Sequence, residues 1–476
     1  MERRVMGLET EYGVACTVEG RRTLTPDEVA RHLFSEIVGT YYSSNVFLAN
    51  GGRLYLDVGN HPEYATAECD HPADLLAQDR AGTLVMNELV GHAQRRMARE
   101  GVPGEVFLLK NNVDSMGNSY GCHENYLVER DLDLRVLADG VSAFLVTRQV
   151  LCGAGRIVRE PDGSAIYCLS QRADLMWDVA SSATTRSRPM INTRDEPHAD
   201  PSRFRRLHVI VGDSNVAESS TLLKVGATDL VLRALEAGAS PPRLIPANPA
   251  QAIRSISRDL TCATSYRTRD DGWATPVEAQ RAYHAYACAH VDAHGPAHGW
   301  DVIVLDLWDE VLRALEAGAP DRVSQHVDWV AKRSLLDRSA LRNGLDLERD
   351  AADPRLAYLD LLYHDIDPAR GLAARLEAAG ALRRWTTPEQ VTRAVTDPPA
   401  TTRARLRGRF VEAARRHRRD HQVDWTHLRL DPSQFGRTVV LDDPFAVEDP
   451  RVDELIRAIE DAAATTRAAQ APGTGG

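Results

Sequence analysis

The chain has 476 residues and a formal net charge of −11, with 43% hydrophobic and 26% charged residues. That length exceeds the usual single domain and predicts two. The composition is that of an ordinary soluble globular protein, and the acidic balance argues against generic nucleic-acid binding while leaving room for a local basic patch.

Seven scattered cysteines without a C-x-x-C pair point to neither a zinc site nor a disulfide framework, and suit the reducing cytosol. No apolar signal core or bilayer-length apolar run is present, so a cytoplasmic protein is expected. Only Lys110, Lys224 and Lys332 are lysines among 57 basic residues. GC-rich coding gives that usage, and so does a protein avoiding modification of its own lysines.

Residues 4–16 read as a strand with Glu9 and Glu11 on one face. Residues 24–39 read as a helix, with Thr25 as N-cap, Pro26 in the first turn and Val29, Leu33 and Ile37 as its apolar stripe. A strand pair follows around 46–70, turning at Asn50-Gly51-Gly52. Within it, Arg53, Tyr55 and Asp57 alternate with Leu54, Leu56 and Val58, so one face carries a cation, a phenol and a carboxylate and the other belongs to a core. Gly59 and Asn60 supply a turn, and Glu63 begins a second polar run.

A long helix is predicted over roughly 73–100, then strand, polar loop and strand over 105–128, with His123 and Asn125 two apart. Residues 136–151 read as helix, 155–172 as strands around Pro161-Asp162-Gly163, and 181–200 as a long loop rich in arginine. In the strand that follows, Arg206, His208 and Ile210 share a face. Residues 227–400 are mostly helical by their apolar spacing. The Pro398–Thr402 stretch is the best boundary, which sets domains at 1–400 and 401–465 with a disordered tail at 466–476. Residues 403–420 hold eight arginines.

No phosphate loop, dinucleotide glycine motif, zinc-protease helix or serine-hydrolase elbow occurs. What remains is a set of strand-borne polar faces: Glu9/Glu11, Arg53/Tyr55/Asp57, Glu63, His123/Asn125 and Arg206/His208. Several carboxylates sharing one space need cations. Magnesium is the natural oxygen-seeking partner, and it commonly brings a nucleotide's phosphates. Arg186, Arg188, Arg194 and Arg206 are candidates to clamp those phosphates. Each face also has a plainer reading as a solvated strand, and His123 as a structural histidine.

The stretches MGLETEYG, RLYLDVGNHPEYATAECD, KNNVDSMGNSYGCHENYL, SSATTRSRPMINTRDEPHAD, RRLHVIVGDSN and VDWTHL, among others, run in order to about residue 455. Together they resemble the Pup ligase/Pup deamidase family, which is related to glutamine synthetase and the γ-glutamyl-cysteine ligases. The resemblance implies an α+β fold: a curved, mainly antiparallel sheet covered by helices, with a small C-terminal domain. It further implies ATP-dependent joining of the C-terminal glutamate of Pup, a small disordered ubiquitin-like protein, to lysines of protein substrates through a γ-glutamyl phosphate.

By the same resemblance Glu9, Tyr55 and Glu63 hold magnesium, Arg53, Thr66 and Trp425 contact ATP, and Asp57 is the catalytic base. The arginines of 403–420 are then candidates to steer acidic Pup. The deamidase/depupylase branch typically carries a long loop before the Arg53 strand and a histidine after the aspartate. This chain has only residues 43–52 there and Val58-Gly59 after Asp57, which favours the ligase branch. A catalytically idle adaptor is the alternative of another class, and the intact acidic and arginine positions disfavour it.

Overall fold

The computed structural model describes residues 1–114, 117–182, 188–431 and 437–470. Strand β1 (Met6–Glu11) alternates cleanly: Met6 and Leu8 are buried in the core, and Glu9 and Glu11 point to the opposite face. The chain breaks at Tyr12 and continues as β2 (Gly13–Val18), which leaves the first sheet for a smaller one. The single strand expected over 4–16 is therefore two. After β3 (Arg21–Leu24), helix α1 (Pro26–Tyr41) starts at the expected N-cap. Thr25 accepts from the Glu28 backbone N–H while the Glu28 carboxylate accepts from that of Thr25.

Three strands occupy the region expected as a pair: β4 (Asn45–Phe47), β5 (Arg53–Asp57) and β6 (His61–Ala65). The turn between β5 and β6 places Gly59 at φ +91° and Asn60 at φ +58°. It ends the strand at Asp57, so Val58, expected to join Leu54 and Leu56 in the core, is 84% exposed. Helix α2 (Pro72–Glu100) then crosses the back of these strands and stops at Gly101 in the left-handed conformation. Gly82 is required where α2 lies on β6, since a Cβ there would sit 2.3 Å from the Tyr64 ring.

Strands β7 (Glu105–Leu109) and β8 (Cys122–Glu129) flank the polar loop, and β9 (Arg156–Arg159) pairs with β10 (Ala165–Cys168). The loop expected over 181–200 is not all loop. Strand β11 (Asp178–Ser181) pairs in parallel with β12 (Pro189–Asn192), whose Met190 and Ile191 are fully buried. Four residues are too short a run to display a period of two. Arg186 lies outside the described residues.

With β13 (Phe204–Val209), the main sheet has the order β11-β12-β13-β8-β1-β6-β5-β4 and is antiparallel except at β11/β12. Its apolar face rests on a helical layer that includes Leu134–Thr147, Glu218–Glu236 and Gly299–Glu316. The other face carries the polar residues.

Beyond Thr402, helix Ala404–Arg416, strands His421–Val423, His427–Leu430 and Thr438–Val440, and helix Pro450–Gln470 enclose a core of their own around Leu406, Phe410, Leu428 and Val452. We propose that the chain divides near residue 400 on that ground. The last helix reaches Gln470, inside the stretch expected to be a disordered tail; residues 471–476 lie outside the described residues.

Candidate active site

Strand register assembles the site. Glu11 pairs with Glu63 across β1/β6, Glu63 with Tyr55 across β6/β5, and Glu9 with His123 across β1/β8. Directly opposed residues on one face lie within side-chain reach. Two donor sets result, each with its ligand atoms within 4.8 Å of one another: Glu11, Asp57 and Glu63, and Glu9, His123 and His208.

Around Glu9, His123 Nδ1 lies 3.3 Å from Oε2, Asn125 donates to Oε1 at 3.1 Å, and Arg206 donates to Asn125 at 3.2 Å. Burial pushes the Glu9 carboxyl up, but His123, His208 and Arg206 more than reverse this and hold it well below the usual carboxylate range. His208 is pushed down to about 3, by burial first, so it is neutral; its Nε2 is buried without a hydrogen-bond partner, 3.8 Å from Glu9.

The other set behaves differently. Burial, then Glu9 and Glu11, raise Glu63 well above the ordinary value. Burial and the same two carboxylates also raise Asp57, despite a backbone N–H bonded to it. Burial, followed by Glu9 and Glu63, keeps Tyr55 a neutral phenol. Glu11 is offset by His61, whose Nδ1 is 2.7 Å away, and is lowered overall against the pull of burial.

Four acids crowd one sheet face, and they are mutually repulsive unless cations join them. Hard carboxylate oxygens suit a divalent cation such as magnesium.

The residues expected at the nucleotide divide. Thr66, Glu9, Arg206, Arg403 and Trp425 line one open cleft beneath the C-terminal unit. Thr66 Oγ1 accepts from the Leu8 N–H at 3.1 Å, which leaves the hydroxyl proton free to donate. Arg53 lies outside that lining. Its guanidinium sits 4.1 Å from the Tyr55 ring centre and donates to Asn45 at 2.8 Å, beside the acids. Trp425 packs edge-on against Phe47 of β4 at 4.9 Å, and the Arg407 guanidinium of its own unit lies 5.0 Å from the ring centre, so both sides of the join hold the ring. Arg188 and Arg194 belong to the edge beyond β13, with Arg194 donating to the Ser182 carbonyl.

Sequence reasoning missed the tie that brings Trp425 there. Glu68, just past β6, accepts from Arg403 Nε at 2.9 Å and from both terminal nitrogens of Arg407, at 3.2 Å for Nη1. Arg407 also donates to the carbonyls of Trp425 and Gly51, each at 3.1 Å. Gly408 permits the approach: a Cβ there would meet the Ala49 carbonyl at 2.2 Å. The arginine run is thus no uniform solvated face: it divides into buried and exposed members, with Arg405, Arg415 and Arg418 left at the surface. Arg403 and Arg407 are buried, Arg409 pairs with Asp453, Arg416 with Glu412 and Arg419 with Asp431.

A mostly antiparallel sheet, helices on one face, acids on the other and an open cleft over its central strands define the class of α+β ligases that carry their active site on the sheet. A family model described as Pup-ligase protein matches residues 4–429, and the chain belongs to that family. A Pup–protein ligase of Nakamurella multipartita is 52% identical over 462 residues, covering 96% of this chain and 100% of the relative. The crystal structure of the complex between the prokaryotic ubiquitin-like protein Pup and its ligase PafA matches with a TM-score of 0.92 and 44% identity, over 98% of this chain and 94% of that one. The PafA structure in complex with ADP matches with a TM-score of 0.83 and 45% identity, over 94% and 97%.

Proposed function

We propose that this protein is an ATP-dependent Pup–protein ligase of the cytoplasm, joining the γ-carboxylate of Pup's C-terminal glutamate to lysine side chains of protein substrates. The observation that carries this reading is the sheet-borne set Glu9, Glu11, Asp57 and Glu63 beside a cavity lined by Thr66 and Trp425, in a chain of the Pup-ligase family.

The Pup carboxylate attacks the γ-phosphorus of ATP and ADP leaves. The substrate amine then attacks the γ-carbonyl of the acyl phosphate, and phosphate departs. A lysine amine is protonated near neutrality, and it must lose a proton to attack. Asp57, at the open end of its strand and with a raised proton affinity, accepts that proton. Glu9, Glu63 and the Tyr55 phenol would hold magnesium, which when bound would supply charge neutralisation at the phosphates. Thr66 and Trp425 position the nucleotide in the cavity, and Arg53 offers a cation to its phosphates from the neighbouring strand.

The test incubates the protein with ATP, magnesium, a lysine-bearing target, and Pup ending in glutamate or in glutamine. Conjugation of the glutamate form with release of ADP and phosphate is the expected result. Deamidation of the glutamine form without conjugation would assign the chain to the deamidase branch instead.

A further inference from the structure

We infer that the folded chain is sealed against its own conjugation chemistry, because every lysine it possesses is buried in structural bonds. The inference rests on the ligase reading above. The chain holds three lysines, Lys110, Lys224 and Lys332. They are 3%, 1% and 0% exposed.

Each ammonium is spent on the interior. Lys110 Nζ donates to both oxygens of Asp79, at 2.8 and 2.6 Å. Lys224 Nζ donates to the Asp213 carbonyl at 2.8 Å. Lys332 Nζ donates to the Gly155 carbonyl at 2.6 Å and to Asp360 at 2.8 Å, with His364 Nε2 also 2.8 Å away. The exposed cationic surface is carried by arginine, Arg313 and Arg349 being 76% and 77% open. Guanidinium stays protonated and offers no lone pair.

In the conjugation step an amine nitrogen forms a bond to the γ-carbonyl carbon, the C–O bond to phosphate breaks, phosphate leaves with the electron pair, and the amine proton passes to the base. The nitrogen must reach a carbonyl held on another molecule's sheet. Burial lowers the proton affinity of Lys332 and would make it the readiest nucleophile of the three, yet it is the most completely enclosed. Conjugation of any of the three requires the chain to open. Open fractions on the order of 10⁻³ or less make it at least about 1000-fold slower than conjugation of an exposed lysine. Coding bias and selection against self-modification produce the same surface, and the consequence holds under either.

The full chain is incubated with ATP, magnesium, Pup ending in glutamate and a lysine-bearing target, and both proteins are read by intact mass and peptide mapping. The target gains Pup and the chain gains none at its three lysines. Variants Arg313→Lys and Arg349→Lys each gain an adduct at the new residue. In a second arm without Pup, an amine-acylating ester leaves the three lysines unmodified in the folded chain and modifies all three in guanidinium. Adducts on the native lysines of the folded chain at a rate near the target's overturn the inference. So do introduced lysines that stay bare beside a conjugated target, and equal acylation of the folded and unfolded chain. A target that stays unconjugated while the acylation arm still shows protection contradicts the ligase reading and leaves the sealed lysines standing.

Discussion

Asp57 differs from the other three acids in its surroundings. Glu63 is buried, Glu9 has histidine, asparagine and arginine about it, and Glu11 is offset by His61. Asp57 closes its strand with the backbone N–H of Val58 as its bonded neighbour, and burial with nearby Glu11 and Glu9 raises its proton affinity. A carboxylate free of side-chain bonds and above its ordinary pKa is a competent acceptor for an amine proton. Replacement Asp57→Asn keeps the shape and removes that function, so conjugation falls about 100- to 10,000-fold while nucleotide binding persists. Steady-state conjugation alongside ATP titration checks both halves. The acid limb of the wild-type profile lies above the usual aspartate value, because the base must be unprotonated and its pKa is raised.

Among the elements, the join between the sheet and the C-terminal unit carries the clearest energetic signature. Glu68 is 9% exposed and pairs with two arginines. Burial alone would raise its carboxyl, but Arg407 and Arg403 hold it down at about 2. A depressed folded pKa means the pairing stabilises fully above the unfolded value near 4.5 and is lost as pH falls toward 2. Removing one partner of a buried pair leaves the other unpaired, so Glu68→Ala is expected to destabilise by about 3 kcal/mol near neutrality. The deficit relative to wild type shrinks as pH falls below about 4. The variant also frees Arg407, which holds the Trp425 carbonyl, so KM for ATP rises more than kcat falls. Thermal unfolding across pH and ATP kinetics test this; equal stability at pH 7 would contradict it.

That join also marks the limit of what the sequence discloses. The period of two in Arg53, Tyr55 and Asp57, and in Glu9 and Glu11, is a local property of extended backbone, so their shared faces were legible. The N-cap of α1 and the glycine stop of α2 were legible for the same reason. The convergence of β1, β5, β6, β8 and β13 on one face depends on pairings between distant segments, and residue spacing carries no trace of them. Glu68 and Arg403 are 335 residues apart, and an arginine-rich helix looks the same whether it faces water or a buried glutamate. Strand β12 was hidden by its brevity, and Val58 was misplaced because the turn at Gly59 begins a residue sooner than the alternation ends.

Over the whole molecule, the helical layer and the sheet's back face form the principal core, and the polar face with its open cleft is left for chemistry. No described helix is long and apolar enough to cross a membrane. An acid-lined face suits a reaction in which a carboxylate is phosphorylated before an amine attacks it, since both steps need phosphate charge neutralised and water kept away. The most direct measurement follows the oxygen. Pup labelled with ¹⁸O in the γ-carboxylate of its C-terminal glutamate is conjugated to a target, and the released phosphate is weighed by mass spectrometry. Passage through an acyl phosphate transfers one labelled oxygen to each phosphate released. Phosphate that carries no label while conjugate accumulates would contradict carboxylate phosphorylation on this face.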